Sequence, residues 1–147
     1  MLKYIFHTDL AGIPLLAKNI SRQLRGGEIV GLIGALGAGK TSFAQALARE
    51  LGVKQKVTSP TFVIMQQFKG FLPKTKFTSS KPVTLTHIDT YRTKNFTELE
   101  ALGITEAWSN QSGITIIEWA DRIKNYLPTT TWYVYFDSPA NKKMALL

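Results

Sequence analysis

Apolar residues along the chain switch between two periods, and the switching predicts the elements. Leu2–Phe6 reads as a short strand. Leu10, Ile13, Leu16, Ala17, Ile20 and Leu24 then recur at three-to-four spacing, as on a helix with one buried face. Pro14 suits the first turn of that helix, which places its start near Ile13, and Arg25-Gly26-Gly27 closes it. The continuous run Ile29–Ile33 predicts a strand covered on both faces. After a glycine-rich turn, Phe43, Ala44, Leu47, Ala48 and Leu51 mark a helix over Thr41–Leu51, with Gly52 where a C-terminal cap belongs. Further strands are predicted at Phe62–Met65, Val83–Ile88, Ile114–Ile117 and Trp132–Phe136, and helical segments at Thr97–Leu102 and Ala120–Tyr126. Strands alternating with helices predict an α/β domain with a mostly parallel sheet flanked by helices. Neither a repeat nor a linker divides residues 1–147, so one domain is expected.

Composition narrows the function classes. With 44% hydrophobic residues there is enough apolar material for a core, and the absence of cysteine removes disulfides, cysteine zinc ligands and thiol nucleophiles. Charge-free stretches such as Val57–Phe68 are too short for a membrane span. The amino terminus lacks the pattern of a secretory signal, so a soluble cytoplasmic protein is expected. Eighteen Lys and Arg against ten Asp and Glu give a net charge of +8, which favours polyanionic partners. Lys69–Pro82 contributes four lysines and no acid, with Phe71 and Phe77 among them. It reads as a hairpin tip or loop, either kept soluble by lysine or touching nucleic acid or a partner.

The sharpest chemical signal is Gly34-Ala35-Leu36-Gly37-Ala38-Gly39-Lys40-Thr41, which fits G-x-x-x-x-G-K-[ST] between a predicted strand and helix. Small residues in such a turn let backbone N–H groups approach phosphate oxygens, and the helix N-terminus adds positive potential. Gly34, Leu36, Gly37, Ala38, Gly39, Lys40, Thr41 and Ser42 are therefore the candidate nucleotide-binding residues, with Lys40 reaching the β and γ phosphates and Thr41 ligating Mg²⁺. Asp89, at the end of Leu85–Ile88, is placed to hold the metal, or is a turn aspartate after a strand. His87 shares its face, and is read as a packing residue. Glu118 follows Ile114–Ile117 at a strand's carboxyl end, where it could orient or deprotonate an attacking water, or form an ordinary ion pair. The absence of an N/T-K-x-D motif favours ATP over GTP.

Four blocks occur in series: the phosphate-binding turn, Thr58-Ser59-Pro60-Thr61-Phe62, His87-Ile88-Asp89-Thr90-Tyr91-Arg92 and Glu118-Trp119-Ala120-Asp121-Arg122. Together they closely resemble the bacterial TsaE (YjeE) family over roughly residues 8 to 137. The resemblance implies a small P-loop ATPase that joins the TsaD–TsaB pair in making N6-threonylcarbamoyladenosine at tRNA position 37. It implies ATP and Mg²⁺ as cofactors and an indirect relation to the tRNA. By position it assigns Lys40 and Glu118 to catalysis, and Thr41, Asp89 and Glu118 to the metal. It assigns Ser59 and Thr61 to a switch-like loop, and Tyr91, Arg92 and Trp119 to the site or a partner surface. Two departures accompany it: Ala35 stands where members commonly carry an acid, and the lysine-rich segment is longer and more basic than usual. A free-standing small-molecule kinase, or a nucleotide-gated binding module with negligible hydrolysis, are the alternative readings.

Overall fold

The computed structural model describes residues 4–58 and 64–137. Its elements in chain order are β1 (Ile5–Thr8), α1 (Ile13–Gln23), β2 (Ile29–Gly34), α2 (Lys40–Glu50), β3 (Met65–Leu72), β4 (Lys81–Asp89), α3 (Phe96–Ala101), α4 (Ile104–Ser109), β5 (Gly113–Glu118), a 3₁₀ segment (Ala120–Tyr126) and β6 (Trp132–Phe136). The strands form one six-stranded sheet in the order β1-β6-β2-β5-β4-β3. All neighbouring pairs are parallel except β3 against β4, so the antiparallel strand lies at the edge. None of the described helices is long and apolar enough to cross a membrane.

Two cores cover the two faces of the sheet, as the continuous apolar strands require. Val30 and Leu32 of β2, Leu85 of β4 and Ile114 and Ile116 of β5 point towards α1 and α2. They meet Ala17 and Ile20 of α1 and Phe43 and Leu47 of α2, all fully buried. The alternate positions Ile29, Ile88 and Ile117 face the other way, against Leu99 of α3, Ile104 of α4 and Ala120 and Ile123 of the 3₁₀ segment. The expected α/β architecture is what folds.

Several boundaries differ from the sequence reading. The strand expected at Phe62–Met65 begins only at Met65, and residues 62 and 63 lie outside the described residues. The true strand alternates instead of running apolar: Phe68 and Leu72 turn inward while Gln67, Lys69 and Phe71 stay exposed, the pattern of an edge strand with one face covered. The lysine-rich segment is therefore a hairpin, but Lys69–Leu72 and Lys81–Pro82 are strand, which leaves residues 73–80 as its turn. Ala120–Tyr126 is helical only as two short pieces joined at Ile123, whose φ of −125° interrupts the helix. Helix α4 is an addition to the elements expected from the sequence.

Candidate functional site

Strand β2 ends at Gly34, and the chain turns back through residues 35–39 to start α2 at Lys40. Gly37 (φ +77°) and Gly39 (φ +117°) take left-handed backbone conformations that side chains disfavour, which is why the turn needs glycine there. At Gly39 a Cβ would also press on Ile13 and Leu10 at 2.8 and 3.0 Å, so the loop is seated against α1 and its lead-in. The first turn of α2 has no side-chain cap and no acid, so its N–H groups and their positive potential stay available to an anion.

Lys40 is almost entirely buried. Its Nζ donates to the carbonyls of Gly34 (2.6 Å) and Ala35 (2.7 Å) and lies 3.9 Å from the centre of the Trp119 ring. Burial lowers its pKa from the ordinary lysine value, against the opposing pull of the Glu118, Asp121 and Asp89 carboxylates.

The carboxylates come from the ends of neighbouring strands. Asp89 of β4 pairs directly with Glu118 of β5 in the parallel register, so both project on the α2 side of the sheet. Glu118 is buried. One carboxylate oxygen, Oε1, accepts the Thr41 hydroxyl at 2.8 Å and the other, Oε2, accepts His87 Nε2 at 2.6 Å. Here the sequence reading of His87 is corrected. The ring is a fully buried polar partner of Glu118, and its Nδ1 meets no hydrogen-bonding partner. The signal available was the shared face with Asp89, which puts His87 one step behind the acid and diagonal to Glu118.

Past Glu118 the chain makes a sharp bend. Trp119 has φ +58°, unique among the described non-glycine residues, and is held there by Thr90, whose hydroxyl donates to the Trp119 carbonyl at 2.7 Å and to that of Glu118 at 3.1 Å. Strained backbone of this kind clusters at functional sites. The bend brings the indole against both Lys40 and Tyr91 (4.8 Å between the Tyr91 and Trp119 centroids), with the Arg122 guanidinium 5.7 Å from the Tyr91 ring.

These side chains line a cleft of about 420 Å³ formed by Leu10, Leu36, Gly37, Gly39, Lys40, Thr41, Ser42, Asp89, Tyr91, Arg92, Glu118 and Trp119. Most of the expected site residues thus come together. Gly34 and Ala38 stand behind the loop, Gly34 through the carbonyl that receives Lys40 and Ala38 by packing into the core. Leu10 was not anticipated; it reaches the rim from the lead-in to α1. Ser59 and Thr61 lie outside the described residues. Thr41, Asp89 and Glu118 supply hard oxygen donors of the kind Mg²⁺ takes, and among the described residues no group of three acidic or histidine side chains forms a cage.

A phosphate-type turn between a buried parallel strand and a helix, with acids at adjacent strand ends, defines a P-loop-type α/β protein. The family described as threonylcarbamoyl adenosine biosynthesis protein TsaE matches residues 7–145, and the chain belongs to that family. The tRNA threonylcarbamoyladenosine biosynthesis protein TsaE of Treponema pallidum is 36% identical over 112 residues, covering 76% of this chain and 74% of that one. The protein of the same description from Synechocystis is 36% identical over 122 residues, covering 80% and 70%. Among solved structures, Bacillus subtilis YdiB superposes with a TM-score of 0.63 at 25% identity, over 87% of this chain and 71% of that one.

Proposed function

We propose that this protein is an ATP-binding and ATP-hydrolysing subunit acting with a TsaD–TsaB-type pair in threonylcarbamoyladenosine biosynthesis on tRNA. The observation that carries the reading is the contact of Thr41 with Glu118, which ties the helix end of the phosphate loop to an acid on a neighbouring strand.

In this reading the N–H groups from Leu36 to Ser42 hold the phosphates, and Lys40 leaves the Gly34 and Ala35 carbonyls to meet the β and γ oxygens. Thr41 and Asp89 would hold Mg²⁺, which when bound would neutralise charge on the phosphate oxygens. With the Thr41 hydroxyl turned away, Glu118 Oε1 would face the cleft, where it would orient a water for attack. His87 keeps the other carboxylate oxygen fixed meanwhile. Trp119 and Tyr91 form an aromatic wall beside the cleft, for the nucleotide or for a partner that completes the site.

The test is ATP turnover by the purified chain, alone and with the TsaD–TsaB pair of its own organism, in wild type, Lys40→Ala and Glu118→Gln. The expected result is turnover stimulated by the pair and lost in both variants, with nucleotide binding retained in Glu118→Gln. Binding without turnover in the full complex would replace hydrolysis by nucleotide-gated assembly. Turnover stimulated by a metabolite in the absence of the pair would replace the whole reading by a kinase.

A further inference from the structure

The chain's excess of positive charge is not spent at the nucleotide cleft. Five cations from three segments gather at the opposite end of the sheet. Lys74 and Lys76 of the β3–β4 turn line one depression together with Arg22 from the last turn of α1. Arg25 continues the line, its Nη1 donating to the Arg22 carbonyl at 2.9 Å. Lys81, the first residue of β4, brings its Nζ to 3.3 Å from where a Cβ on neighbouring Gly26 would lie. The six residues of β2 separate this end from the phosphate loop by roughly 20 Å.

Among the described residues none of the five meets a carboxylate at ion-pair distance. The nearby acid, Glu28, spends its oxygens on the backbone N–H groups of Arg25 and Gly26. All five side chains are exposed, so the cluster faces outward.

The turn also holds up an aromatic ring. Thr75 and Thr78 are knotted together, hydroxyl to hydroxyl at 2.6 Å and N–H to carbonyl at 2.8 Å, and the Thr75 hydroxyl accepts the Phe77 N–H at 3.2 Å. Phe77 is left 85% exposed, with the Lys76 ammonium 5.9 Å from its ring. The tied turn thus presents the ring to solvent beside the lysines.

We propose that this end of the molecule is an RNA-binding face, in which Arg22, Arg25, Lys74, Lys76 and Lys81 contact phosphates and Phe77 stacks on an unpaired base. Cations interleaved with an aromatic are the means by which proteins hold single-stranded nucleic acid, because every base offers a π-face and every linkage a charge. An acidic protein face would satisfy the lysines too, and competition by poly-glutamate separates it from RNA. Relatives of this chain are described as tRNA threonylcarbamoyladenosine biosynthesis proteins, so an RNA of suitable charge is at hand.

The experiment is anisotropy of a fluorescent, unmodified tRNA transcript titrated with the full chain, without nucleotide, between about 50 and 200 mM salt. Leaving nucleotide out makes the outcome independent of the ATPase reading. Wild type should bind with a steep salt dependence. The variant K74A/K76A/K81A should bind roughly tenfold or more weakly at the lower salt, with its log–log salt slope reduced by about 2, since each lost phosphate contact removes about 0.7. Phe77→Ala should weaken binding roughly tenfold with the slope unchanged. Lys76→Glu alone, on the exposed turn, should weaken it in the same direction, and all variants should keep wild-type ATP turnover. Absence of binding by wild type, an unchanged slope in the triple variant, or equally tight binding of poly-glutamate of matched charge would overturn the proposal.

Discussion

His87 donates to Glu118 across two neighbouring strands, Nε2 to Oε2 at 2.6 Å, with neither side chain reaching solvent to any useful degree. Because Thr41 occupies the other carboxylate oxygen, the three residues form one chain of hydrogen bonds from β4 through β5 to the start of α2. Buried networks of this kind hold their members in a single geometry, and breaking one leaves the others unsatisfied. His87→Ala should therefore destabilise the fold by about 1–3 kcal/mol in urea unfolding. If Glu118 orients water, the same variant should lower kcat for ATP more than it raises KM, because the phosphate loop is untouched. A kcat equal to wild type would remove His87 from the catalytic arrangement and leave it a structural partner.

The contact between Lys40 and Trp119 makes the indole a reporter of the loop. At 3.9 Å from the ring centre the ammonium contributes about 0.5–2 kcal/mol of cation–π attraction. Phosphates that draw Lys40 away change the ring's surroundings, so adding nucleotide should alter tryptophan emission. Trp119→Phe should abolish that response, since Trp132 lies buried at the other end of the sheet and Trp108 packs against Phe96, away from the cleft. A response that survives in Trp119→Phe would locate the change elsewhere.

What could be read from the sequence was what repeats or what has few alternatives. The run Ile29–Ile33, the face Phe43–Leu51 and the turn between them specify a strand, a helix and a phosphate loop because each uses residue types that fit little else. Asp89 and Glu118 were placed by the strands ahead of them, and the parallel register of β4 and β5 does put them side by side. Less legible were features set by tertiary contact. The partner of His87 depends on the diagonal between two strands 31 residues apart, and no periodicity encodes it. The extent of β3 is not legible because the apolar run Phe62–Met65 is more conspicuous than the alternation that pairs with β4. The 3₁₀ character of Ala120–Tyr126 follows from the left-handed Trp119 and from close packing on β2, neither visible in composition.

Tyr133 gives the fold a defined alkaline response. Burial raises its phenol pKa above the ordinary 10.0, partly opposed by Lys124, whose Nζ lies 5.0 Å from the ring centre. Between the ordinary and the raised value the unfolded chain has lost the proton that the folded chain retains. The unfolded state then binds fewer protons, so stability falls as pH rises through that window. Tyr133→Phe has no proton to lose there. Its urea midpoint should match wild type near neutrality and fall less above pH 10.0. Parallel losses in the two proteins would assign the alkaline response to other groups.

Gly31 governs how closely the 3₁₀ segment can approach the sheet. It lies inside β2, opposite Ile117 of β5 and Tyr133 of β6, on the face covered by that segment. A Cβ at this position would come within 2.9 Å of the Ala120 Cβ and 3.1 Å of Tyr133 Cδ1. Ala120 directly follows Trp119, which follows Glu118, so a push on the segment is delivered to the strained bend beside the cleft. Gly31→Ala should cost about 1–3 kcal/mol, the usual range for overpacking, and Gly31→Val more, in urea unfolding. The same variants should weaken nucleotide binding and diminish the Trp119 emission change, although Gly31 itself is absent from the cleft wall. Variants as stable as wild type, with unaltered nucleotide titrations, would mean that the segment yields freely and that the close approach at Gly31 does not hold the site in place.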